Sequence, residues 1–253
     1  MRITFLGTGT SQGVPVIACD CIVCRSQDIK DKRLRTSILI ESDGTNVVID
    51  TGPDFRQQML REKVNYLDAI VFTHEHKDHL AGLDDVRAYN YKTKLPIDVY
   101  ASDTVQQAIK RDFHYVFHAE KYPGVPELNL KEIDFEPFKI KNLNFLPIDV
   151  MHHKMKVKAF RINNFTYITD ANRIEEMELK KIYGSEIVVI NALRREPHIS
   201  HFTLQQAINL IQDLNPKKAY LTHLSHQIGK HEDLQKELPE NIFVAYDGLT
   251  IEC

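Results

Sequence analysis

At 253 residues, 43% hydrophobic and 26% charged, the chain has the make-up of a soluble globular protein with a sizeable core, as one α/β domain or two small ones. Thirty-two basic against 35 acidic side chains leave a net charge of −3 and a pI near 6.5, so no global basic field calls for nucleic acid, although a local patch is compatible with these totals. No run approaches the ~18–20 apolar residues that span a membrane, and the N-terminus enters a strand with no apolar signal core, so the expected location is cytoplasmic.

Ile3, Phe5 and Leu6 predict a strand over residues 2–6. Gly7-Thr8-Gly9-Thr10-Ser11-Gln12-Gly13 follows as a glycine-rich loop. It lacks the Gly-Lys-Ser/Thr ending of a P-loop and does not satisfy G-x-G-x-x-G, which leaves a plain turn or the lining of a substrate pocket. Of the four cysteines, Cys19, Cys21 and Cys24 lie within six residues and Cys253 stands alone. In a reducing compartment such a cluster fits a metal site better than a disulfide framework, and three thiolates occupy three corners of a tetrahedral zinc. Two strands, 35–41 and 46–50, are joined by Ser42-Asp43-Gly44-Thr45, and Pro53 opens a helix to about Arg61.

The apolar run Ala69-Ile70-Val71-Phe72 reads as a buried strand, and Thr73-His74-Glu75-His76-Lys77-Asp78-His79-Leu80 leaves its end. Alternate residues of an extended segment point the same way, so His74 and His76 reach one metal ion together. A turn after them aims Asp78 and His79 at a second position nearby. Imidazole with carboxylate suits zinc, iron, manganese or nickel. There is no H-E-x-x-H, so a zincin protease is not suggested.

A helix is predicted over 81–91, a strand over 97–101 and a helix over 103–112 with Ser102 as its cap. Residues 113–127, with Phe113, His114, Tyr115, Phe117, His118 and Tyr122, read as an irregular excursion: a surface loop with its own small core, or else a lid or dimer contact. Strands follow at 133–138, 143–149 and 157–162, then Tyr167 to Asp170. A charged helix over 173–182, a strand over 186–190, an amphipathic helix over 203–213 and strands at 218–222, 243–246 and 250–252 complete the chain. Strands and helices alternate without a low-complexity linker or repeat, which favours one domain over residues 1–253.

The Thr73–Leu80 stretch resembles the metal-binding signature of the metallo-β-lactamase fold hydrolases. That resemblance implies a four-layer αββα sandwich. It also implies Asp50 as a brace of the metal loop, His152 as a further ligand with His153 as its rival, Asp170 as a carboxylate bridging two metals, and His223 as the last ligand. One ion would take His74, His76, His152 and Asp170, and the other Asp78, His79, Asp170 and His223. Two divalent ions, zinc or manganese, ~3.5–4 Å apart lower the pKa of a shared water toward ~7 and make hydroxide the nucleophile. Asp78 then counts with the catalytic groups as well as the ligands. His201 resembles the histidine that phosphodiesterase branches bring in as general acid, with His198 as a weaker candidate. Arg194 and Arg195 offer guanidinium groups to a phosphate.

His226, three residues beyond His223, completes a Cys₃His set with Cys19, Cys21 and Cys24 for a structural zinc. With the glycine-rich loop and the T-H-x-x-H, this is similar to the phosphoribosyl 1,2-cyclic phosphate phosphodiesterase branch of the carbon–phosphorus lyase pathway; similar cysteine clusters occur in the branch serving pyrroloquinoline quinone biosynthesis. The expected activity is hydrolysis of a small cyclic phosphate or nucleotide-like diester, with a homodimer plausible by analogy. The alternatives are a transfer-RNA 3′-processing ribonuclease of the same fold, disfavoured by the net charge, and a non-catalytic zinc-binding module.

Overall fold

A computed structural model describes residues 1–120 and 122–253. β1 (Arg2–Gly7), β2 (Ser37–Ser42) and β3 (Thr45–Ile49) form an antiparallel run. The two-residue loop between β2 and β3 is Asp43-Gly44, both at positive φ (45° and 76°), as a tight hairpin turn requires. β4 (Ala69–Val71), β5 (Ile97–Ala101) and β6 (Leu128–Glu132) extend this sheet in parallel. Its helices are α1 (Phe55–Arg61), α2 (Lys77–Leu80), α3 (Arg87–Thr93) and α4 (Asp103–Asp112).

The second sheet holds β7 (Phe138–Ile140), β8 (Leu143–His152), β9 (Met155–Ile162), β10 (Phe165–Tyr167), β11 (Arg173–Ile174), β12 (Ile187–Asn191), β13 (Lys218–Thr222) and β14 (Ile242–Val244). Its order is β11-β8-β9-β10-β12-β13-β14, with β7 paired to β8. α5 (Glu176–Ile182), α6 (Leu204–Leu214) and α7 (His231–Glu237) belong to this half, and β15 (Thr250–Glu252) returns to the first sheet beside β1.

Strand periodicity divides the core into three layers. In β2, Ile38 and Ile40 face the other sheet while Leu39 packs with the first group of helices. In β12, Val189 faces the first sheet while Val188 and Ile190 pack toward α6. Both faces of each strand are covered, which is why these strands read as continuous apolar runs rather than alternating ones. The result is the expected four-layer αββα sandwich.

Several boundaries differ from expectation. The strand expected at 133–138 is instead almost wholly the link between β6, which ends at Glu132, and β7, which starts at Phe138, because these residues carry the chain from one sheet to the other. The helix expected at 81–91 is a 3-10 turn over Leu83–Val86 followed by α3, and the short α2 precedes it within the metal stretch. Residues 173–174 pair with β8 before α5 starts at Glu176, and α7 lacked an apolar periodicity strong enough to announce it. Ser102 sits at the N-cap of α4 without a side-chain cap bond, whereas Thr203 and Gln206 form a reciprocal capping box on α6. Phe113 and Val116 join the core beneath α1–α4, so the start of the 113–127 excursion has no separate core; Lys121 lies outside the described residues.

Candidate metal centre

Strand ends converge on one point. β3 delivers Asp50, β4 delivers His74, the residues after β10 deliver Asp170, and β13 delivers His223. Asp50, Asp170 and His223 each adopt a left-handed backbone, with φ of 66°, 53° and 54°. Such conformations are uncommon for residues other than glycine and cluster at functional sites, where the surrounding fold holds them.

The imidazoles are oriented from behind. His79 Nδ1 meets Asp50 Oδ2 at 2.7 Å. The same carboxylate accepts from the Thr73 amide and hydroxyl, each at 2.8 Å. Because the Thr73 hydroxyl gives its proton to Asp50, it accepts from His74 Nδ1 at 3.0 Å. His152 Nδ1 donates to the Ser200 carbonyl at 2.9 Å. In all three rings the Nδ1 proton is thus held on the outside, and the Nε2 lone pair faces the centre. This is the arrangement that second-layer partners give metal-ligating histidines.

At the centre, His79 Nε2 lies 3.2 Å from Asp78 Oδ2 and 3.1 Å from Asp170 Oδ2. His223 Nε2 lies 3.2 Å from Asp170 Oδ1 and 3.7 Å from Asp78 Oδ2. One donor atom from each of Asp78, His79, Asp170 and His223 falls within 4.8 Å of all the others. A second group, His152, Asp170 and His201, meets the same limit and shares the Asp170 carboxylate. His74 Nε2 and His76 Nδ1 approach to 3.1 Å, and the His76 and His152 rings lie 5.1 Å apart. Among the described residues, His79 Nε2, His201 Nδ1 and both nitrogens of His223 are buried without a hydrogen-bond partner. Buried unpaired polar atoms are costly, and inward lone pairs beside shared carboxylates are what divalent cations satisfy. The chemistry of this donor set therefore fits divalent metal ions.

The electrostatics agree. Burial works to raise the Asp170 carboxyl, but His223 and His79 hold it well below the usual carboxylate range. Burial works to lower His79, yet Asp78, Asp170 and Asp50 carry it well above the ordinary histidine range: the carboxylates that would attract a cation hold a proton on Nε2 in its place. His201 is pushed down to about 3 by burial and then by the charge of His223, so it stands at the centre as neutral imidazole at neutral pH. His153, the rival of His152, is exposed in the β8–β9 turn at φ 57° and points outside the cluster. His198 lies one ring further out, 5.1 Å from His201 between centroids.

The second cluster assembles from both ends of the chain. Cys19 and Cys21 Sγ each lie 3.3 Å from His226 Nδ1, and Cys24 Sγ lies 3.5 Å from it. The Cys24 amide bonds Cys21 Sγ at 3.4 Å; with further donors nearby and against burial, it brings the Cys21 thiol down to about 6. Burial pushes the Cys24 thiol the other way, up to about 11, and the lowered Cys21 with the four-fold donor geometry fits a Cys₃His zinc site. Arg194 and Arg195 part company. Arg194 lines a cavity of about 320 Å³ beside His201, whereas Arg195 pairs with Glu237 at 2.8 Å. A cavity of about 560 Å³ between α1 and α3 includes no histidine and lies apart from this chemistry.

Apart from the Asp50 brace, sequence reasoning named none of the outer supports. Asn191 brackets Ala171 by accepting from its amide and donating to its carbonyl, both at 2.9 Å, which fixes the turn that presents Asp170. No local pattern marks Asn191, since its role depends on the neighbouring strand. Asp50→Asn removes the charge behind His79 while keeping the shape. It is expected to weaken active-site metal affinity by about 10–100-fold with an unchanged far-ultraviolet circular dichroism spectrum, the usual loss for such supports. Metal titration checks it.

Comparison with known proteins narrows the identity. Residues 45–224 match the β-lactamase superfamily domain. The crystal structure of a diphosphatase from the PhnP family is 37% identical, with a TM-score of 0.94 over all of this chain and 97% of the other. Zn(2+)-bound PqqB from Methylobacterium extorquens shares the fold at 18% identity, with a TM-score of 0.81 over the whole of both chains. Octanoyltransferase of Porphyromonas gingivalis is 41% identical over 98% of this chain, but the match covers 51% of that protein, so the chain spans about half the length of this curated relative. With the fold, the two donor clusters and these likenesses together, the chain belongs to the metallo-β-lactamase fold hydrolases, in a PhnP-like branch.

Proposed function

We propose that the protein is a metal-dependent hydrolase of phosphoric diesters, acting on a small cyclic phosphate or a nucleotide-like diester. The observation that supports this most is the Asp170 carboxylate, shared between the His79–His223–Asp78 group and the His152–His201 group. His74, His76, His152 and Asp170 would hold one divalent ion, and Asp78, His79, Asp170 and His223 the other, each zinc or manganese. When bound, these ions supply Lewis acidity to a phosphoryl oxygen and acidify water for attack. Asp78 and Asp170 are hard oxygen donors, which suits ions that clamp a phosphoryl group. Asp50, Thr73 and Ser200 hold the imidazoles in one tautomer throughout. His201, beside Asp170 and at the rim of the adjoining cavity, is placed to donate a hydrogen bond to the departing oxygen, which, with this ring neutral, takes its proton from water.

The likeness to an octanoyltransferase supports a second reading, in which the substrate is an octanoyl ester or thioester. That protein is about twice as long, and its named activity can reside in the half this chain does not match. The test is to strip metal with a chelator, restore zinc or manganese, and follow bis(p-nitrophenyl) phosphate, a nucleoside 2′,3′-cyclic phosphate and an octanoyl thioester. Diester turnover that disappears on chelation and returns with metal supports the proposal. Turnover of the thioester alone replaces it with the second reading. Bound metal with no turnover leaves a zinc-binding module.

A further inference from the structure

We infer that the groove between α1 and α3 is a binding site for a single-chain amphiphile with an anionic head, a medium-chain carboxylate in solution, at a place distinct from the metal centre. The site stands whether or not the centre cleaves diesters.

The groove holds about 560 Å³, within the ~300–1,000 Å³ range of small-ligand sites. Its apolar lining is Phe55, Met59, Leu60, Val64, Ala88 and Tyr89. Phe55, Met59 and Tyr89 are buried and form the floor, while Leu60 stands 61% exposed on the lip. α1 and α3 have seven residues each, so the trough runs for about 10 Å, the reach of an extended acyl chain of medium length and short of a bilayer lipid's. The polar groups along the wall are already used within the protein. The Tyr89 hydroxyl donates to the Val64 carbonyl at 2.9 Å, and Lys92 Nζ donates to the Asn65 carbonyl at 2.8 Å. These bonds brace α3 against the 63–65 loop and leave an apolar, preformed surface between them.

The rim is cationic. Arg56, Lys63 and Lys92 line it, and among the described lining residues Asp85 is the one acid. Glu62 and Asp84, which flank the lining in sequence, are taken by Arg61 at 2.5 Å and Arg87 at 3.2 Å. Three cations against one carboxylate at the mouth of an apolar trough favour an anionic head, and the walls favour a hydrocarbon tail. A layer of backbone separates this trough from the metal donors. The Thr51 amide donates to the His79 carbonyl and the Gly82 amide to the Thr51 carbonyl, each at 2.8 Å, and the Phe55 amide donates to the Gly52 carbonyl at 3.0 Å. No histidine lines the trough, so a ligand there touches none of the imidazoles.

The test is isothermal titration calorimetry of hexanoate, octanoate and decanoate against the metal-loaded full chain, with decyltrimethylammonium as the same tail on a cationic head. Wild type is expected to bind one decanoate per chain. Affinity should rise at least about threefold with each added pair of methylenes and exceed that for the cation at least about tenfold. Ala88 is exposed on α3, so Ala88→Phe fills the trough from the outside; it is expected to weaken decanoate binding at least about tenfold at an unchanged melting temperature. Should that variant melt early, Leu60→Glu on the exposed lip decides in its place, with the same loss expected. Lys63→Glu is expected to bring decanoate and decyltrimethylammonium to within about threefold of each other. Asp170→Ala is expected to keep decanoate binding, because the metal donors lie outside the site. Affinity indifferent to tail length or head charge, or unchanged by filling the trough, overturns the assignment. A fall in Asp170→Ala places the carboxylate on the metal centre and overturns it too. So does binding to phosphatidylglycerol vesicles that Lys63→Glu abolishes while decanoate does not bind, which would make this face a membrane contact.

Discussion

Asp170→Ala is expected to lower diester turnover by at least about 10³-fold, or about 4 kcal/mol of transition-state stabilisation, and to reduce active-site metal content. The size follows from its position. Asp170 Oδ2 faces His79 at 3.1 Å, and Oδ1 faces His223 at 3.2 Å and His201 at 3.7 Å, so a single carboxylate serves both donor groups. The Thr169 hydroxyl donates to Oδ2 at 2.7 Å and fixes the carboxylate plane. Removing Asp170 takes away the carboxylate common to both groups and leaves Asp78, beside His79 and His223, as the remaining inward counter-charge. The variant should fold, because the turn around residue 170 is held independently by Asn191 and because the core of that half lies below it. Asp170→Asn, which keeps the volume and loses the charge, should behave nearly as badly. Metal analysis beside steady-state rates checks both, and turnover within tenfold of wild type in either variant would remove the shared carboxylate from the account.

Cys21→Ala should cost one metal ion per chain and lower the melting temperature by about 5 °C or more, a destabilisation of a few kcal/mol for a chain of this size. The segment that carries the cysteines has little else to hold it. Its local core is Val14, Val23 and Cys24, with Val16, Cys19 and Cys21 partly buried against it. Ile17, Ile22 and Ile29 stand out in solvent at 94%, 73% and 79% exposure, so apolar burial does not anchor this loop. A zinc ion held by the three cysteines would do so by tying it to His226, on the loop that also presents His223. The Thr10 amide donates to the Leu224 carbonyl at 3.2 Å and the Leu224 amide to the Thr8 carbonyl at 2.9 Å, which links the glycine-rich loop to the same segment. Limited proteolysis should therefore cut the variant within residues 16–30 while sparing the wild type. An unchanged melt together with an unchanged metal count would show that the cysteines hold no ion.

Much of this was legible because both devices involved leave local traces. Strands covered on both faces read as unbroken apolar runs, and a short ligand motif at a strand end keeps its spacing whatever surrounds it. That is why β1, β2, β4, β12 and β13 and the His74–His79 stretch could be read from the chain alone. Elements whose register depends on a partner were not legible in the same way. The link between β6 and β7 was read as a strand because nothing local marks where a chain leaves one sheet for another. α7 was missed because its short helix is fixed by packing and by the buried Asp31 carboxylate accepting from the His231 amide at 2.7 Å, a pairing across 200 residues.

The same division runs through the site. Sequence alone determined which donors are present: the His74, His76, Asp78, His79 motif, the cysteine spacing, and a histidine or acid after successive strands. Only the tertiary structure decided how they are used. It turned His152 inward and His153 outward, placed His201 against Asp170, and set the lone pairs through Asp50, Thr73 and Ser200. It also parted Arg194 from Arg195, one into a cavity and one onto Glu237. The physical reason is that ligand identity is a local property of residue type and spacing. Tautomer, direction and charge state are set by groups brought alongside from distant parts of the chain.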